Sequence, residues 1–154
     1  MTRGEITKNL SRLTEKLINP HRDPRIYWAR EVTFDYLTTH AIRVDYMQFK
    51  PVNNSVSDIE KGDFYCYEIK SSVEDFHSKN GHNFIGDYNY YIMPHGVYME
   101  VKGEIPYKVG VYCPNGQELR SVKKAQRADR ERPLAEMLLM MFRSAARDRR
   151  QESE

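Results

Sequence analysis

From Ile6 to Ile18 the apolar side chains fall at Ile6, Leu10, Leu13, Leu17 and Ile18, a three- and four-residue spacing that lines one face of an α-helix. Thr2 and Glu5 stand at capping-box spacing, so a helix is expected over residues 4–19. Asn19-Pro20 and Asp23-Pro24 end it, because a residue before proline avoids the α region. The pattern then changes to aromatic and β-branched residues. Residues 26–36 and 42–49 read as two strands of a hairpin around Thr38-Thr39-His40. Residues 51–57 read as a loop, and residues 64–70 as a third strand. A short helix capped by Ser71 or Ser72 runs through Phe76, and 81–86 is a polar loop. Strands are expected at 87–93, 107–113 and 118–122, with a helix at 95–103 and an Asn115-Gly116 turn. Pro133 opens the last helix, whose expected buried stripe is Leu134, Met137, Leu138, Met141, Phe142 and Ala145. The run from Met137 to Met141 is wholly apolar, so that helix is expected to be well buried. Together these elements predict an α/β sandwich around a mixed sheet.

The third strand breaks its own pattern. Glu68 and Lys70 are the charged residues among Phe64, Tyr65, Cys66, Tyr67 and Ile69. Side chains alternate along a strand, so Glu68 and Lys70 share a face. A strand this apolar is normally covered on both sides, where charge is expensive unless paired. The bland reading is a cross-sheet ion pair, yet such pairs seldom stabilise more than apolar residues of the same size. Other acid-x-base triplets occur at Asp23, Glu100, Glu118 and Asp148, so the triplet alone says little. What sets Glu68-x-Lys70 apart is its strand, the acid Asp45 on the strand before, and the Ser-capped helix after. Two carboxylates and an ammonium suit a Mg²⁺ site for phosphodiester hydrolysis.

The chain has 154 residues and a formal net charge of +2, which suits one domain with a core of its own. No apolar run reaches membrane-spanning length, and the first residues lack a signal peptide's apolar segment, so a cytoplasmic protein is expected. Cys66 and Cys113 show no metal-ligand or disulfide spacing. Basic residues gather late, at Arg120, Lys123, Lys124, Arg127, Arg130 and Arg132, and again at Arg143, Arg147, Arg149 and Arg150. This is either a phosphate-backbone footprint, with Lys123, Lys124 and Arg127 as nucleic-acid contacts, or a solvated face with a flexible basic tail from about residue 143 to 154. Lys79 and Asn83, in the polar loop, are candidate phosphate contacts. His77 and His82 with Asp75 fit a solvated or DNA-facing loop better than a second metal. Tyr88, Tyr90 and Tyr91 fit a core better than a base-stacking platform, and Trp28 reads as a core anchor.

Arg43-Val44-Asp45, the run Tyr-Glu-Ile-Lys-Ser-Ser from Tyr67 to Ser72, Asp75-Phe76, and the Tyr-rich strand ending in Pro94 together resemble the PD-(D/E)XK nuclease superfamily. They are similar, more narrowly, to its MmcB-like DNA-repair branch. The resemblance covers residues 26–94 and is most specific at 63–76. It implies a restriction-endonuclease-like mixed β-sheet core flanked by helices, in one domain spanning 1–154. It implies Asp45 and Glu68 as ligands of Mg²⁺ or Mn²⁺, the Ile69 carbonyl as a further ligand, and Lys70 as the water-orienting or charge-stabilising group. Glu31 would be an auxiliary acid, with Glu15 on the first helix as a competitor. The implied activity is that of a DNA endonuclease or nickase, DNA being favoured over RNA by family analogy alone. The rival readings are a catalytically silent nucleic-acid-binding or inhibitor protein of the same fold, and a partner protein, such as a homodimer, that associates through the apolar last helix.

Overall fold

The computed structural model describes residues 1–53 and 55–153; Asn54, in the expected 51–57 loop, and Glu154, in the expected tail, lie outside the described residues. Helix α1 spans Arg3–Ile18 and carries the capping box: the Thr2 hydroxyl accepts from the Glu5 N–H, and Glu5 accepts from the Thr2 N–H. Strands β1 (Tyr27–Phe34) and β2 (Ile42–Lys50) come next as an antiparallel pair. Helix α2 (Val56–Glu60), capped by Ser55, occupies part of what the sequence presents as loop. Strand β3 (Asp63–Ile69), helix α3 (Val73–Phe76, capped by Ser72) and strand β4 (Tyr88–Ile92) continue the chain. Helix α4 (His95–Val101) runs into a short 3-10 turn, Lys102–Glu104. Strands β5 (Gly110–Asn115) and β6 (Glu118–Lys123) form the closing hairpin, and α5 spans Leu134–Ser153.

The six strands lie in one mixed sheet in chain order, β1 to β6. The β3–β4 and β4–β5 pairs are parallel and the others antiparallel. The parallel joins need crossovers, which α3 with its loop, and then α4, supply. On one face α1 buries Leu10 and Ile18 against Tyr46, Tyr67 and Ile92. On the other, α5 buries Met137 and Met141 against Val32, Phe34, Val44, Met47 and Phe64. A third cluster, around Phe76, Tyr91, Met93, Val101 and Val111, seats α3 and α4. The chain is thus a mixed β-sheet flanked by α-helices, an α/β fold.

Some expectations are corrected. The fifth strand begins at Gly110 rather than at 107. Residues 143–153, expected as a flexible tail, continue α5. Phe142 and Leu139 are exposed, so the buried stripe of α5 is narrower than its composition suggests. Among the described residues no helix is long and apolar enough to cross a membrane.

Strand β1 carries one irregularity. Ala29 faces the α5 side of the sheet, and so do Val32 and Phe34, an odd step that breaks strict alternation. The break sits at Glu31, whose φ of 51° lies in the left-handed region. Strand β2 changes phase at the same level, between Met47 and Val44, and the paired register resumes on either side, at Arg30–Tyr46 and Val32–Val44.

Candidate active site

Asp45 sits at this dislocation. The β2–β3 ladder ends at Tyr46–Tyr67, and beyond it the Ile69 N–H donates to Asp45 Oδ2 at 2.8 Å. A side-chain carboxylate thus accepts where a strand carbonyl would otherwise serve, and Asp45 is held at the mouth of the gap between two parting strands. Burial pushes its carboxyl pKa upward, partly offset by that N–H and by the charges of Arg43 and Lys70.

Glu68 lies behind it, fully buried. Its carboxyl is set against the side chain and backbone of Asp45 and makes no well-formed hydrogen bond. Burial and the charge of Asp45 push its pKa up to about 9, against the opposing pull of Lys70. A buried carboxyl without a well-formed hydrogen bond is costly to fold, and such a group calls for an account. Lys70 stands at the strand's end, 2% exposed, with its Nζ donating to the Asn80 carbonyl at 2.6 Å and more weakly to the Asp75 carbonyl at 3.4 Å. Burial lowers its pKa, opposed by Asp75, Glu68 and Asp45.

The loop after α3 closes over these groups. His82 ties it down: its Nε2 donates to the Ser78 carbonyl at 2.8 Å, which leaves Nδ1 to pair with the Tyr91 hydroxyl at 2.6 Å. Asn83 donates its amide to the Arg43 carbonyl, fastening the loop to β2. Asp75 caps the turn, accepting from the Ser71 N–H, and pairs with Arg3 of α1 at 3.1 Å. His77 pairs with Glu104 at the surface.

Asp45, Ile69 and Lys70 open onto one broad cleft of about 2200 Å³ between α1, the β1–β2 face and this loop. That is above the range of a small-molecule pocket, and the cleft is open rather than enclosed. On α1 the residues facing it are Arg3, Thr7, Ser11 and Glu15, spaced by four, together with Glu5, Lys8, Asn9, Arg12 and Lys16, beside the apolar stripe that meets the sheet. Basic side chains outnumber acidic ones around it, among them Arg3, Lys8, Arg30, Arg43 and Lys79.

The structure therefore brings Asp45, Glu68, Lys70 and the Ile69 backbone together, with Lys79 and Asn83 at the rim. Glu31 lines the same cleft but, among the described residues, does not join Asp45 and Glu68 in a metal-holding group. Its carboxylate is 54% exposed and points toward Arg147 of α5, at 3.9 Å. Glu15 is engaged by the Tyr46 hydroxyl at 2.6 Å. Among the described residues no group of three or more His, Cys, Asp or Glu is placed to hold a metal ion. The late basic cluster is also elsewhere. Lys123 donates to the carbonyls of Pro106 and Val109, and Arg127 pairs with Asp63 at 2.6 Å and lies over the Tyr88 ring. Lys124 is exposed, and none of the three lines the cleft. Apart from Lys79, sequence reasoning misses the cations that line it, because they are scattered singly along the chain.

No protein-family model matches this chain, and a search of curated proteins finds no relative. Among solved structures it is similar to a protein of unknown function from Silicibacter pomeroyi, at 19% identity with a TM-score of 0.57, covering 98% of this chain and 89% of that one. Likeness at that identity speaks to the fold.

Proposed function

We propose that this cleft hydrolyses phosphodiester bonds in DNA, on a restriction-endonuclease-like core, with a divalent cation such as Mg²⁺ or Mn²⁺. The observation that carries the reading is the fully buried carboxyl of Glu68 set against that of Asp45, a pair whose like charges repel unless a cation joins them. Mg²⁺ is commonly bound through one or two carboxylates with the rest of its shell as water, so a two-carboxylate site fits it. The order of the motifs supports the reading: Arg43 to Asp45 on β2, Glu68 and Ile69 on β3, Asp75-Phe76 on α3 and the tyrosines of β4 before Pro94.

When bound, the cation would supply charge neutralisation at the scissile phosphate. The chain's own groups do the rest. Asp45 and Glu68 would hold it, with the Ile69 carbonyl beside them. Lys70, aimed by the Asn80 carbonyl, places an ammonium beside the reacting centre to orient water and stabilise developing negative charge. Arg43 and Lys79 would position flanking phosphates, a task for cationic groups at the rim.

Two observations favour a second reading, a catalytically silent DNA-binding protein of the same fold: Lys70 is engaged by backbone carbonyls, and among the described residues no third acidic or imidazole ligand joins Asp45 and Glu68. A Mn²⁺ titration by calorimetry, run beside nicking of supercoiled plasmid, separates the two. Mn²⁺-dependent nicking that disappears in Asp45→Asn is the expected result. Asn still accepts from the Ile69 N–H, so the fold should survive. Nicking retained in Asp45→Asn would remove the nuclease reading, and DNA binding without nicking would favour the silent one.

A further inference from the structure

We propose that the cleft takes a single-stranded stretch of DNA, with one unpaired base stacked on Trp28. The inference rests on the nucleic-acid reading of the same cleft and adds the form of its substrate. Trp28, the single tryptophan of the chain, lines the cleft while packing at the edge of the α1 cluster. It is half-buried, and its ring stacks on Tyr46 with centroids 6.1 Å apart and planes 26° from parallel. Tyr46 is fixed in turn from below by the α1 cluster and at its hydroxyl by Glu15. The floor of the cleft is therefore a pre-oriented aromatic pair, with Ile26 beside it.

The surroundings are cationic. Arg30 stands two residues along β1, its guanidinium 46% exposed and steadied by Asp148, and Arg43 lies across on β2. Lys8 and Arg12 line the wall from α1. An aromatic platform between cationic walls is the arrangement that binds single strands, because every base has a π-face and every phosphate a charge. The other aromatic stretch does not offer this: Lys50 already lies over the Tyr65 ring and Arg127 over the Tyr88 ring, and Tyr67 is buried.

The spacing to the carboxylates is also suitable. Trp28 pairs across to Gln48, three residues along β2 from Asp45. At about 3.3 Å per residue that is roughly 10 Å, or about three nucleotides at the stacked rise. A base inside a duplex has both faces covered by its neighbours and cannot lie on Trp28, so the floor selects unpaired segments such as overhangs, flaps or gaps.

The test uses tryptophan emission of the full chain in EDTA, which keeps binding apart from cleavage. A mixed-sequence single strand of about 12 nucleotides, within the usual site size, should quench the emission saturably, and the same sequence as a blunt duplex should not. Anisotropy of a labelled strand should show affinity falling roughly ten- to a hundredfold in Trp28→Leu, the scale of one base–aromatic stack. Trp28→Phe, which keeps a π-face, should restore most of it. Unchanged emission with bound single strand would overturn the proposal without any variant, as would equal losses for single strand and duplex. Single-strand quenching with no metal-dependent cleavage would leave this inference standing and remove the nuclease reading. Cleavage of duplex with no involvement of Trp28 would do the reverse.

Discussion

Gly81 lies directly over the ammonium of Lys70: a Cβ at Gly81 would stand 2.6 Å from Lys70 Nζ and 3.3 Å from Glu68 Oε2. The backbone there has φ +75°, and the carbonyl just before it, of Asn80, is the one that accepts the Lys70 hydrogen bond. One turn therefore seals Glu68 from water and aims Lys70, and it needs glycine for both conformation and space.

Gly81→Ala should separate these two demands. Left-handed backbone costs a non-glycine residue about 1–2 kcal/mol, which should appear as a lowered melting temperature. The contact with Nζ is more readily relieved, because the tip of a lysine can move. That movement breaks the hydrogen bond to Asn80, so turnover should fall by more than the melting shift accounts for. Melting curves and plasmid nicking on one preparation check this. Undiminished nicking would show that the aim of Lys70 is unimportant.

Glu68→Gln should change how stability responds to pH. The folded carboxyl titrates at about 9 and the unfolded one at about 4.3, so between those values the folded state holds the extra proton. Stability from this group is therefore greatest at low pH and is lost as pH rises, at up to about 1.4 kcal/mol per unit. Glutamine keeps the shape without the titration. Its advantage over the parent in urea midpoint should grow from about pH 5 to about pH 8.5. A constant difference would mean that Glu68 is ionised in the folded chain.

Lys70→Met should fold, since it conserves length and most of the volume, although it leaves the Asn80 carbonyl without its donor. If Lys70 acts on charge that develops in the transition state, the variant should lose about a hundredfold or more in turnover, with DNA affinity nearly unchanged. Single-turnover cleavage beside anisotropy measures both. A loss confined to affinity would make Lys70 a phosphate contact.

The two sets of basic residues should behave differently toward salt. Replacing Lys8, Arg43 and Lys79 by Ala should flatten the slope of log affinity against log salt by ~2 for a single strand. Replacing Lys123, Lys124 and Arg127 should leave that slope unchanged and lower the melting temperature instead, because Lys123 and Arg127 hold Pro106, Val109 and Asp63. Filter binding across a salt series checks both, and a flattened slope in the second set would put the DNA path at the β6 edge.

The sequence by itself determined the local elements. The capped, four-spaced apolar run of α1, the proline stops, and the apolar strand interrupted by Glu68 and Lys70 are all local patterns, and they reappear in the folded chain. Asp45 was legible as the acid on the strand before, because adjacent strands in a hairpin-rich chain tend to be neighbours in space. Tertiary structure alone decided the rest. The left-handed step at Glu31 shifts the phase of both strands beside Asp45, and no alternation rule anticipates it, since it depends on how two chains pair. It also turns the Glu31 carboxylate toward Arg147, while Glu31 still lines the cleft with Asp45. The basic residues that form the cleft come from α1, β1, β2 and a loop, far apart in the chain, whereas Lys123 and Arg127, close together in sequence, are engaged by partners distant in sequence. Trp28 has the composition of a core residue, and only the placement of α1 over the other half of the sheet leaves it open to the cleft. A charge or a ring acquires its role from what lies opposite it, and that is a property of the packed chain.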